Sequence, residues 1–266
     1  MENTAQQQAE AFWNTLEDRI KAAIDNPWLF RALIADGVIA LKPMLESNFD
    51  GTEKVIGLLS DFCQVVFKGI EHPFVPFQAE LMGKEFEFGS PSYWTHPTPE
   101  FFLTAYMIAI LDRDKRNIEW LPKFIPKLNP SNASHKAPVF TQMAKFYAAL
   151  YNPDPIWDIY QETLIATDPE TNPGVPKELL DLLLAQLALY DGGFTNNPML
   201  IQTQLPQVLA HTKQFWDQQS GAWPYEFRPD ILPILAATVY TRGSLGLKFM
   251  TDSVYLPSWL IGGQGN

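Results

Sequence analysis

A single cysteine, Cys63, stands in a chain of 266 residues. No intramolecular disulfide can form, and a thiol in an apolar helical run reads as a buried packing residue. Long apolar runs are missing too. The strongest, Leu179 to Tyr190, is broken by Asp181 and Gln186, so it falls short of the roughly twenty apolar residues that a membrane-crossing helix needs. Catalytic motifs are absent: the chain has no H-E-x-x-H, no C-x-x-C, no P-loop and no G-x-S-x-G, which removes the commonest metalloprotease, redox, nucleotide and hydrolase readings. The glycine cluster Gly262-Gly263-Gln264-Gly265 has no helix after it to cradle a phosphate,. No cofactor is expected.

Metal-ligating patterns are equally thin. His72 and His96 each precede a proline, His135 lies in a turn, and His211 stands alone on a helix, where it reads as a capping or packing residue. A site would want a second ligand at helical spacing or neighbouring acids; Glu71-His72 is the nearest approach. Asp112, Asp114 and Asn117 suggest a calcium loop, but Asn117 stands where the loop needs glycine and Lys123 where it needs glutamate,. A solvated helix end is the better reading, and no metal is expected.

What is present is a folded composition, 46% hydrophobic and 13% aromatic, which excludes disorder and leaves enough apolar material for a sizeable core. The net charge is −11 and unevenly spread. Residues 1–100 hold fifteen acids against seven bases, residues 101–151 three against seven, and residues 152–218 nine against Lys177 and Lys213 alone. Such a surface repels nucleic acid and anionic lipid and attracts a basic partner, although many proteins are acidic for solubility alone. The opening residues, MENTAQQQAEAFW, carry acids and glutamines where a secretory signal needs a basic start and an apolar centre,. The expected compartment is the cytoplasm.

Along the chain, apolar residues recur at helical spacing. Phe12, Leu16, Ile20 and Ile24 predict a helix over residues 5–25, ended by Asn26-Pro27, and Leu29 to Leu41 predict a second, with Gly37 inside it or breaking it,. Asp50-Gly51-Thr52 reads as turn plus N-cap for a third, through Val55 to Ile70,. His72 to Pro99 is irregular, its alternating Glu85, Phe86, Glu87 and Phe88 being either a short strand or an extended loop anchored by Phe86, Phe88, Tyr93 or Trp94,. Thr98-Pro99-Glu100 opens a fourth helix, and a short one surrounds Trp120,. Further helices are expected over residues 139–150, 155–166, 176–190, 198–219 and 230–242, with Pro206 kinking or splitting the fourth of these. The reading is an all-α protein of roughly ten or more helices, as a bundle or stacked helical hairpins. One domain is expected, the best place for a subdivision being the turn-rich segment 126–138.

One arrangement stands out. On the helix after Pro155, Ile156, Ile159, Tyr160 and Leu164 are expected to face the core, leaving Asp158 and Glu162 to share the outward face, with Asp154 as N-cap,. Asp168 and Glu170 extend the acidic run. This is either a stripe for a cationic partner or a solvated face balanced by the basic segment 113–145. In the irregular loop, Glu85, Glu87, Tyr93 and Trp94 combine acids with aromatic anchors, a mixture found both at binding surfaces and in loops packed on a helical core.

The last quarter carries a further signal. Leu209, His211, Phe215 and Trp216 precede an apolar helix, and the chain closes with Ser253, Tyr255, Leu256, Pro257 and Leu260. This order resembles the Immunity protein 49 (Imm49) family, with its "L..H...(F/Y)W" helix and "SDYLP..L"-like tail; Asp252 before Ser253 and Val254 at the acidic position depart from it. The resemblance implies a cytoplasmic immunity protein without catalytic residues, which binds and occludes one cognate antibacterial toxin, a nuclease, nucleobase deaminase or other cytosolic enzyme with a basic cleft. A helical adaptor that binds a peptide, or an all-α enzyme with a buried polar site, are the alternatives that the residues alone leave open.

Overall fold

Wherever apolar residues recur at three and four, the chain is helical. The computed structural model describes residues 2–90, 96–129, 137–151 and 156–218, together with Pro233, Ala236, Ala237 and Tyr240. The class is all-α, with nine α-helices and one two-stranded hairpin among the described residues. None of the described helices is long and apolar enough to cross a membrane. The chain divides into two compact units, one of residues up to Pro97 and one beginning at Thr98.

In the first unit α1 (Glu2–Asp25) packs on α2 (Leu29–Glu46) and α2 on α3 (Thr52–Glu71); the short connections make neighbours antiparallel. Leu16 and Ile20 are buried as their spacing predicts, joined by Ala9 and Ala23, whereas Phe12 and Ile24 are half-buried. α2 runs unbroken through Gly37 and closes with Asn48 in the left-handed region, φ 50°. There the Phe49 amide donates to the Met44 carbonyl at 2.8 Å and the Asn48 amide to Leu45 at 3.1 Å, the two bonds of a Schellman ending. Thr52 is not the N-cap that its sequence position suggests. It is the first residue of α3, and its hydroxyl donates back to the Phe49 carbonyl at 2.6 Å.

The irregular stretch resolves in part into strands β1 (Phe77–Leu81) and β2 (Lys84–Phe88), paired antiparallel with Leu81 opposite Lys84. Phe88 stacks on Phe77 at 5.3 Å and meets Phe30 of α2 edge-on at 5.8 Å, so the inner face of the hairpin joins the helical core. The two-residue turn has Met82 at φ 56° and Gly83 at φ 72°, the pairing required of a type I′ turn. Methionine is a poor occupant of that region. The turn is pinned by Asp61 of α3, whose carboxylate accepts from the Met82 amide at 2.8 Å. Gly83→Ala is expected to lower stability by about 1 kcal/mol, and Met82→Asn to raise it by a few tenths, both read from chemical denaturation midpoints.

The second unit contains α4 (Pro99–Asp112), α5 (Lys115–Trp120), a 3-10 segment (Leu121–Lys127), α6 (Pro138–Ala149), α7 (Ile156–Ala166), α8 (Lys177–Phe194) and α9 (Pro198–Gln218). Thr98 caps α4 as expected, accepting from the Phe101 amide at 3.1 Å. Every residue from Pro99 to Leu111 is buried, which marks α4 as a helix enclosed on all faces. At its end Asp114 accepts from the Arg116 and Asn117 amides at 3.0 and 3.3 Å, so this carboxylate is the N-cap of α5.

α6 pairs with α7 and α8 with α9. Their shared core is aromatic: Tyr147 meets Tyr190 edge-on at 5.0 Å, Phe146 meets Tyr190 at 5.8 Å, and the Tyr190 hydroxyl donates to the Pro233 carbonyl at 3.2 Å. α8 ends with Asn196 at φ 54°, the Asn197 amide donating to the Gly192 carbonyl at 2.9 Å; the Asn197 side chain then accepts from the Leu200 amide of α9 at 3.1 Å. α9 continues through Pro206 without splitting. That proline is exposed, as is Gln202, whose carbonyl loses its partner and faces solvent that can replace the lost bond.

Candidate functional site

α7 is held from beneath by an aromatic side chain, and two inward hydroxyls are satisfied by carbonyls of the helix itself. Tyr160 is buried between Phe146 of α6, at 5.6 Å, and Phe194 of α8, at 5.0 Å. Thr163 is buried and donates to the Ile159 carbonyl at 2.6 Å; Thr167 donates to the Leu164 carbonyl at 2.7 Å. The inward face is therefore turned from the expected one: Tyr160 faces in as predicted, but Ile156, Ile159 and Leu164 are only half-buried. The C-terminal end is fixed by Asn172. Its Nδ2 donates to the carbonyls of Ala166 (2.6 Å) and Asp168 (3.0 Å), and its Oδ1 accepts from the Val139 amide in the first turn of α6 at 3.3 Å.

The outward face carries Trp157, Asp158, Gln161, Glu162 and Ile165, all exposed. Asp158, Glu162 and Ile165 follow at i, i+4 and i+7, so they share one stripe. Ile165 is 68% exposed and Trp157 51%. Trp157 is nonetheless held in place, edge-on to Phe194 at 4.9 Å and to Tyr160 at 6.5 Å. Glu162 accepts from the Gln142 amide side chain of α6 at 2.7 Å, which fixes the carboxylate on the surface. No lysine or arginine occurs between Lys145 and Lys177. Trp157 and Ile165 were not singled out from the sequence; the i+7 spacing of Ile165 from Asp158 was the available signal.

Asp168 and Glu170 lie beyond the helix. Asp168 caps the 3-10 turn Pro169–Thr171, accepting from the Glu170 amide at 2.8 Å, and Glu170 is exposed. Asp154 lies outside the described residues, as do Tyr93 and Trp94. Asp191 of α8 sits close enough to Tyr160 for its charge to act there: burial, and after it the Asp191 charge, push the Tyr160 hydroxyl up to about 12. Partial burial also raises the Asp191 carboxyl from its ordinary value. A group so shifted is charged in both states above its folded pKa and carries its burial cost there; below its unfolded pKa it is neutral in both and the cost vanishes. Asp191→Asn is therefore expected to raise the melting temperature at pH 7 and to leave it unchanged at pH 3.

In the first unit, Glu85 and Glu87 are exposed on the outer face of the hairpin, with Glu80 directly opposite Glu85 and Gln78 opposite Glu87. Like charges placed across a strand pair oppose its formation. Cys63 is buried and its thiol is pushed well up by that burial, which makes it unreactive. Among the described residues no cluster of three or more His, Cys, Asp or Glu side chains could hold a metal ion.

No family model, curated protein or solved structure matches the chain. Of the residues behind the Imm49 resemblance, Phe215 is buried, Leu209 half-buried and His211 exposed, and the tail from Ser253 onward lies outside the described residues. The packing reading of His211 does not hold, since Val208, Thr212 and Phe215 take the inward positions of α9.

Proposed function

We propose that this chain is an immunity protein of the Imm49 type, a cytoplasmic antidote that binds one cognate antibacterial toxin and obstructs its basic active site. The observation that carries the reading is the outward face of α7, where Asp158 and Glu162 flank exposed apolar side chains in a stretch of 31 residues, 146–176, without a single base. Obstruction asks for no catalytic group. It asks for a stable body and a complementary surface, and negative charge on that surface speeds the encounter with a cationic enzyme. A toxin that acts on nucleic acid, a nuclease or nucleobase deaminase, has the basic cleft this surface fits.

Co-expression with the toxin encoded beside it tests the reading. The wild-type chain should restore growth, and Asp158→Lys with Glu162→Lys should reduce protection while the chain stays folded, the melting temperature falling only slightly through loss of the Gln142 bond and of the first-turn acid,. Equal killing with and without the chain would end the proposal.

A further inference from the structure

From the exposed ridge of α7 we infer that binding is anchored by Trp157 and Ile165, docked into a cationic protein surface that offers an apolar recess for Ile165 and an arginine for the exposed part of the Trp157 ring. This inference rests on the proposed function and names the chemistry of its interface. At about 100° per residue, Ile165 falls opposite the buried Tyr160 and Thr163, at the crest of the helix, with Asp158 and Glu162 on one flank and Gln161 and Trp157 on the other. A lone exposed isoleucine needs no explanation. Here an isoleucine and a tryptophan, about 12 Å apart along the axis, are both exposed on an eleven-residue helix, and the charged residues between them are all of one sign.

The geometry is that of an anchor prepared before binding. Phe194 and Tyr160 already hold the Trp157 ring edge-on, and Gln142 already holds Glu162, so little side-chain freedom is lost on docking. Aromatic anchors surrounded by groups that exclude water carry most of the energy of such interfaces, and an exposed indole face attracts a guanidinium. With Asp158 and Glu162 to neutralise it, the occupant is a basic protein surface and not a lipid or a nucleic acid, whose phosphates these carboxylates would repel.

The probe is the purified, catalytically inactivated toxin domain encoded beside the chain, with binding measured by calorimetry. Ile165→Lys, at a position too exposed to disturb folding, should weaken binding about thirtyfold or more. Ile165→Leu should bind like the wild type, and Trp157→Phe should lie between them. Glu85→Lys with Glu87→Lys on the hairpin should change affinity less than Ile165→Lys does. Wild-type binding with an unchanged Ile165→Lys variant, or a larger loss from the hairpin pair, would overturn the inference while leaving the antidote reading standing. No binding by the wild type would overturn both.

Discussion

Replacing Asn172 with leucine should lower the unfolding free energy by about 3 kcal/mol, a large share of the roughly 5–15 kcal/mol that holds a typical domain together. Asn172 is 1% exposed, and leucine has the same number of side-chain heavy atoms but greater volume and no polar group, so the substitution loses the polar partners and strains the packing around them. The Val139 amide would lose its acceptor, and Ala137 at the N-cap position of α6 offers no side-chain replacement. The Ala166 carbonyl would lose its donor, whereas the Asp168 carbonyl would keep the Thr171 amide and hydroxyl. Each buried group left without a partner costs on the order of 1–3 kcal/mol. Asn172→Asp should do no better, because a carboxylate cannot donate to those two carbonyls. Urea titration with an unchanged slope and a shifted midpoint is the expected result; a loss below about 1 kcal/mol would mean that the staple does not hold α6 and α7 in register.

The second large effect is expected at Gly192. An added Cβ there would lie within the van der Waals envelope of Ile201 Cγ1 and 3.2 Å from both the Asn197 carbonyl oxygen and the Ile201 amide nitrogen. Helix propensity alone would favour alanine by about 1 kcal/mol. Backbone atoms cannot step aside as a side-chain end can, and Asn197 is tied to the same residue through its amide. Gly192→Ala should therefore be net destabilising, by about 2 kcal/mol. Adding Ile201→Ala should recover little, because the contacts with the backbone remain and a new cavity opens; a double variant as stable as the wild type would place the whole strain in the Ile201 side chain.

These two positions also show where sequence stops being informative. Helix starts at Pro99 and Pro198 were legible because proline at the first helical position leaves a local signature. Asn172 left none: its partner Val139 is 33 residues upstream, and nothing in the spacing distinguishes it from any other loop asparagine. The hairpin was half-legible, since Glu85 to Phe88 alternate, but its Met82-Gly83 turn lacks the asparagine or aspartate that normally announces a type I′ turn, and Asp61, which supports it, lies on α3. On α7 the outward placement of Asp158 and Glu162 followed from the i, i+4 rule. The exposure of Trp157 and Ile165 did not, because the inward face was set on Ile156, Ile159, Tyr160 and Leu164, and only Tyr160 and Phe194 in three dimensions show which way the helix is turned.

The most direct test of action by charge-guided obstruction is to titrate the purified chain into the active toxin domain and follow both toxin turnover and association rate at about 50 and 500 mM salt. The account predicts that turnover ceases at one chain per toxin and that association slows more than about tenfold at the higher salt. Full turnover in the presence of excess chain would contradict it, and so would inhibition whose rate of onset is the same at both salt concentrations.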